Sequence, residues 1–191
     1  MLEIHLNVCY NPIMKRPLVY YNNPVLRKRC KDVGKVTDEV LKLVEDLKDT
    51  LAATETGIGL SAPQINSSLR VFITHVPLEN EEGSNNTGVL RVFIDPKIIS
   101  YSEKLTVRDE GCLSIPGLYA PVIRPSSVLL ETTTLEGKRE TQEYHGFEAR
   151  CILHENDHIN GVLFIDRLTR NDRKDVENQL RKIKRKYSPP K

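Results

Sequence analysis

Between positions 36 and 53 the apolar residues Val40, Val44, Leu47 and Leu51 recur at i, i+4, i+7 and i+11, the spacing that lines one face of an α-helix. Thr37 stands where an N-cap belongs, with Asp38 and Glu39 in the first turn to meet the positive end of the helix. Past a Gly-rich segment at 57–64 the pattern changes to short β-rich runs at 70–76, 89–95, 105–109, 119–123, 128–134 and 139–145. Turn residues divide them, as in an antiparallel meander. The acidic stretch at 79–86 has no periodicity and reads as a solvated loop. A second helix is predicted over about 147–160, ended by Asn160-Gly161. A third is predicted over about 172–187, where Val176, Leu180, Ile183 and Tyr187 repeat the helical spacing ahead of Pro189. The order helix, strands, helix, helix does not alternate as βαβ units do, so an α+β fold is expected. No repeat or linker divides the chain, and one domain over 1–191 is expected, with 169–191 as a basic C-terminal helix and tail.

Composition narrows the class. The chain has 191 residues, 39% hydrophobic and 28% charged, with 11 Pro and 10 Gly, which excludes disordered, collagenous and membrane-spanning compositions. No apolar run approaches the roughly 18 residues of a membrane helix. The first residues carry Glu3 where a signal peptide has its basic cluster, so a cytoplasmic protein is expected. Cysteines at 9, 30, 112 and 151 show no paired spacing, and reduced thiols are expected. The net charge of +2 is uneven: 167–191 holds ten Lys or Arg against three acids, leaving −5 on the first 166 residues.

The sharpest chemical signal is His154-Glu155-Asn156-Asp157-His158. Two histidines four apart lie one helical turn apart on one face, so both imidazoles can reach a single metal, and the intervening Glu155 can address a water on it. A third ligand is then needed, with one position left for water. The extended metalloprotease pattern would place another His at 164, where the chain has Phe. Cys151 lies about 10 Å from His158 along the axis at 1.5 Å per residue, too far to share an ion with both histidines. Glu177 is an outside candidate. Cys112, in Glu110-Gly111-Cys112-Leu113-Ser114 between a strand and a turn, is the better one, since its thiolate would be a soft anionic ligand.

The third element is Gly57-Ile58-Gly59-Leu60-Ser61-Ala62-Pro63-Gln64. No lysine or helix follows it as a phosphate loop would demand. An extended Gly segment beside a metal suits backbone pairing with an extended peptide, and Gln64 offers an uncharged donor.

Taken in order, GIGLSAPQ, EGCLS and HENDH resemble the peptide deformylase family, whose pattern is G-x-G-x-A-A-P-Q, then E-G-C-x-S, then an H-E-x-x-D-H-like helix. The resemblance extends over about 18–168, through Pro24-Val25-Leu26-Arg27, Arg124-Pro125 and the stretch from Gly161 to Leu168. Four positions depart from the usual pattern: Ser61 for Ala, Asn66 for Gly, Leu153 for Gln and Asn156 for an apolar residue.

The resemblance implies antiparallel sheets around a central helix that carries the HExxH motif, with a helix at the C-terminus. It implies a hydrolase that removes the N-formyl group from N-formyl-methionyl nascent peptides and releases formate. Cys112, His154 and His158 would hold Fe(II), with zinc, nickel or cobalt able to substitute. Glu155 would move the proton, and Gln64 and the Leu113 backbone N–H would meet charge on the formyl oxygen. Gly57, Ile58 and Gly59 would pair with the peptide. Phe147 and Cys151, seven and three residues before His154 on the same helical face, would line an apolar slot for methionine. Glu110 and Arg124 are expected to pair. The basic C-terminal helix reads either as a solvated face or as a patch for ribosomal RNA. A general HExxH metallopeptidase using His154, His158 and Glu177 is the alternative.

Overall fold

The computed structural model describes residues 15–78 and 86–188. The N-terminal segment with Cys9 and the acidic loop at 79–85 lie outside the described residues, together with the expectations attached to them.

Helix α1, Asp38–Ala52, begins after Thr37, as the periodicity predicts. Thr37 makes no side-chain capping bond; its backbone carbonyl accepts from Val40 and Leu41. Val40, Val44, Leu47 and Leu51 are all buried, with Leu43, against Leu60, Ile65, Val71, Ile73 and Ile94. Strand β1, Gly59–Ser61, runs into a 3-10 turn at Ala62–Ile65 that ends on Asn66 with φ 63°. Asn is among the few side chains that tolerate this left-handed conformation, which accounts for its standing where the resemblance puts Gly.

The remaining strands are β2 (Val71–Leu78), β3 (Asn86–Tyr101), β4 (Leu105–Cys112), β5 (Ile115–Pro125), β6 (Ser127–Thr133) and β7 (Arg139–His145). They do not form one meander. A five-stranded antiparallel sheet has the order β1-β2-β3-β6-β7, and β4 and β5 form a separate hairpin. Serines fix the exit and re-entry: Ser102 N–H donates to Ser127 O, Ser126 N–H donates to Lys104 O, and the Ser102 and Ser126 hydroxyls lie 3.1 Å apart. β3 then pairs with β6, and the hairpin projects from between them. β3 is also longer than the 89–95 run predicts, because it passes through Asp95-Pro96. The register slips between Ile94 and Lys97, and Asp95 takes φ 47°. A bulge leaves a residue outside the ladder, so proline, which has no N–H, is tolerated there.

Helix α2, Gly146–Ile159, contacts strands of both sheets. Ala149, Ile152, Leu153 and Ile159 pack on Phe72, Phe93, Val128, Leu130 and Tyr144. Leu153 thus joins the core, and Asn156, half-buried, accepts at its carbonyl from Asn160 Nδ2. Gly161 follows with φ 75°, as predicted for the cap; a Cβ there would stand 2.7 Å from Arg27 O. Helix α3, Arg170–Tyr187, starts two residues earlier than predicted, because the Thr169 hydroxyl accepts from Asp172 N–H as an N-cap. It buries Leu180 and Ile183 against Leu118, Ala120 and Val122 of β5. The fold is therefore α+β, with antiparallel strands around α2. Cys30, Cys112 and Cys151 are free thiols. No helix among the described residues is long and apolar enough to cross a membrane.

Candidate active site

The central position of α2 sets the geometry. Its i, i+4 spacing brings the His154 and His158 rings to 5.0 Å between centroids. β4 ends at Cys112, where the Leu113-Ser114 turn reverses the chain so that Cys112 pairs with Ile115. The Cys112 sulfur and one nitrogen from each histidine all lie within 4.8 Å of one another. Cys112 Sγ is 3.3 Å from His158 Nε2. The three predicted ligands, 42 and 46 positions apart from the cysteine in the chain, are thus brought together. A thiolate with two imidazoles, one flank open, is a donor set for a divalent transition metal.

Supporting contacts fix these side chains. His154 Nδ1 is 3.0 Å from Glu110 Oε2, which leaves Nε2 to face the sulfur. Arg124 Nε and Nη2 donate to the two oxygens of Glu110 at 2.8 and 2.9 Å, the expected pair, and Arg150 Nη1 donates to Glu110 Oε1 at 2.8 Å. Arg124 Nη1 also donates to Asp157 Oδ2 at 2.7 Å. Burial disfavours an ionised Glu110, but the hydrogen bonds from Arg124 and His154 outweigh it and hold the carboxyl below the ordinary range. Glu155 responds oppositely. Burial pushes its carboxyl up to about 7, against the pull of the His154 charge. Glu155 Oε2 is buried without a hydrogen-bond partner among the described residues.

A cleft of about 370 Å³ opens beside these groups. Gly57, Ile58, Gly59, Gln64, Leu113, Phe147, Cys151 and Glu155 all line it, as do Cys112 and His154; His158 lies behind them and is buried. Gly59 is needed for its size: a Cβ would meet Glu155 Oε1 at 2.6 Å and Cys151 Sγ at 2.9 Å. Among the described residues β1 is an edge strand, hydrogen-bonded to β2 alone. Gln64 is buried, its Oε1 accepting from Ser61 and its Nε2 3.7 Å from Cys112 Sγ. Cys151 Sγ is 3.4 Å from Ile58 O. Burial, reinforced by Glu155, Glu110 and Glu148, raises its thiol well above the ordinary range, so it stays protonated and apolar. Phe147, at the start of α2, has the Arg108 guanidinium 5.8 Å from its ring centroid.

Glu177 does not reach this site. It lies on α3, 3.2 Å from Arg181 Nε and 3.8 Å from Arg173 Nε, which removes the third ligand of the metallopeptidase alternative. The motifs did not disclose Pro116 and Tyr119, which line the cleft from β5, or Arg150, which supports Glu110. β5 buries every second residue, Leu118, Ala120 and Val122, and that alternation is a sequence signal for Tyr119 on the opposite face.

The fold and site define a metal-dependent hydrolase of the HExxH type. A family model described as polypeptide deformylase matches residues 15–174, and the chain belongs to that family. A peptide deformylase from Agrobacterium fabrum is 41% identical over 170 residues, covering 89% of this chain and 96% of the relative. A plant peptide deformylase structure superimposes with a TM-score of 0.81 at 33% identity, covering 98% of this chain and 94% of that one. The Plasmodium falciparum peptide deformylase structure gives 0.79 at 36% identity, with 89% and 96% covered.

Proposed function

We propose that this chain acts as one catalytic unit that removes the N-formyl group from N-formyl-methionyl peptides as they leave the ribosome. The observation that carries the reading is the convergence of Cys112, His154 and His158 with Glu155 in a cleft bordered by the β1 edge. These three residues would hold a divalent cation, which supplies Lewis acidity and lowers the pKa of water at that point. Fe(II) is the ion we assign, with zinc, nickel and cobalt compatible with the same donors. Glu155, whose carboxyl is displaced towards neutrality, accepts the proton of the attacking water and delivers it to the departing amine. Gln64 Nε2 and the Leu113 N–H receive the charge that develops on the formyl oxygen. The peptide backbone pairs along Gly57, Ile58 and Gly59 as an added strand, with the methionine side chain between Phe147 and Cys151.

The exposed Lys182, Lys184, Arg185 and Lys186 on α3 support a contact with ribosomal RNA, where such chains emerge, and we place the enzyme in the cytoplasm. The test is formate release from formyl-Met-Ala-Ser by the anaerobically iron-loaded protein, beside Glu155→Ala. We expect turnover by the wild type and a loss of about 10² to 10⁴ in the variant, the range general acid-base groups contribute. A wild type that binds metal and leaves the formyl group intact sinks the reading.

A further inference from the structure

Resting on the deformylase reading, we propose that Ser61 is a positioning residue for Gln64: its hydroxyl, together with its own N–H, holds the carboxamide oxygen so that Nε2 faces Cys112 and the cleft. Ser61 N–H donates to Gln64 Oε1 at 2.9 Å, and Ser61 Oγ donates to the same oxygen at 2.7 Å. Both lone pairs of that oxygen are thereby occupied. Ser61 is 0% exposed and Gln64 1% exposed, so the carboxamide is shut off from bulk water. Ser61 is fixed in β1 by its pairing with Phe72, and Gln64 O accepts from Val19 N–H at 2.8 Å, so both ends of the contact are anchored to the backbone.

Orientation follows from this. With Oε1 held, Nε2 points to Ser114 Oγ at 3.3 Å and Cys112 Sγ at 3.7 Å. A flipped carboxamide would set its NH2 group against the Ser61 N–H, two donors face to face in a buried site. The backbone N–H alone selects the rotamer; the hydroxyl adds a second bond that narrows its motion. Two donors on one carbonyl oxygen also polarise the amide, making the Nε2 protons better donors to a developing negative oxygen. Such a contribution grows between ground state and transition state, so it belongs to kcat more than to KM.

The experiment compares Ser61→Ala, Gln64→Ala and the double variant in formate release by the iron-loaded protein. Ser61→Ala is expected to lower kcat by about three- to tenfold, the range carried by one neutral hydrogen bond, with KM within about twofold of the wild type. On the Gln64→Ala background the same change should have no further effect. Side-chain amide resonances of Gln64, recorded on the metal-free protein, should show slowed proton exchange in the wild type and faster exchange in Ser61→Ala. An unchanged kcat in Ser61→Ala overturns the assignment. So does an effect that multiplies in full on Gln64→Ala, since Ser61 would then act through Glu155 or the fold. Should the wild type release no formate, the deformylase reading fails instead, and the amide exchange comparison still decides whether Ser61 holds Gln64.

Discussion

Glu110 Oε2 sits 3.0 Å from His154 Nδ1, and this contact determines which nitrogen of His154 would be left for a metal. The same carboxylate accepts from Arg124 and Arg150, so one buried anion orients a candidate ligand and pairs with two buried cations. Glu110→Gln should therefore act twice. Metal affinity should fall by about ten- to a hundredfold, as when a supporting partner of a ligand histidine is lost. Stability should fall by about 3 to 5 kcal/mol, because Arg124 is left with Asp157 as its carboxylate partner and Arg150 with uncharged acceptors. A metal titration and a denaturant curve on the same variant separate the two effects, and an unaltered affinity would show that Glu110 serves the fold alone.

Glu155 and Glu110 should give the metal-free protein opposing pH responses. The Glu155 carboxyl is raised from 4.5 to about 7 on folding, so its stabilising contribution is complete below pH 4.5 and is lost as pH rises towards 7. The displacement corresponds to about 3 kcal/mol. Glu110 is lowered, so its contribution is present above 4.5 and is lost as pH falls. Urea unfolding of the metal-free wild type and Glu155→Gln between pH 4 and 8 isolates the first term. We expect the variant to gain on the wild type progressively between pH 4.5 and 7; parallel curves would refute the shift.

Cys112→Ala should abolish tight metal binding, with a loss larger than the about hundredfold cost of losing a supporting partner. Glu177→Ala should leave affinity within about twofold, since it removes only exposed pairs on α3 that carry about 0.2 to 1 kcal/mol. Equilibrium dialysis against cobalt reads both. The reverse pattern would restore the metallopeptidase alternative.

How much of this was legible follows from what each residue's role depends on. Val40, Val44, Leu47 and Leu51 declare a helix because their burial depends on local spacing, and His154, Glu155 and His158 declare a site because four positions make one helical turn. Cys112 meets His154 from 42 positions away, and only the ordered motifs, not their spacing, announce that meeting. The predicted run 89–95 stops before Pro96, whereas β3 continues through it by a bulge that exists only once β6 is in place. The hairpin β4-β5 left the sheet for a similarly nonlocal reason, the serine contacts of Ser102 with Ser126 and Ser127. The motif gives Ser61 for Ala without a reason, because its hydroxyl gains a role only from the Gln64 side-chain rotamer.

The basic C-terminal helix needs a test that spares the core. Removing the chain after Leu168 would strip Leu180 and Ile183 from contact with β5, so lost function would report unfolding as readily as lost binding. Lys182, Lys184 and Arg185 are exposed and make no part of that contact. Changing all three to Gln should leave formate release from a short peptide within about twofold while weakening co-sedimentation with ribosomes at low salt. If each lysine or arginine neutralises one phosphate, the slope of log affinity against log salt should shrink by about 0.7 to 0.9 per residue, or about 2 to 3 in all. A triple variant whose ribosome affinity and salt slope match the wild type would assign these charges to the solvated face alone.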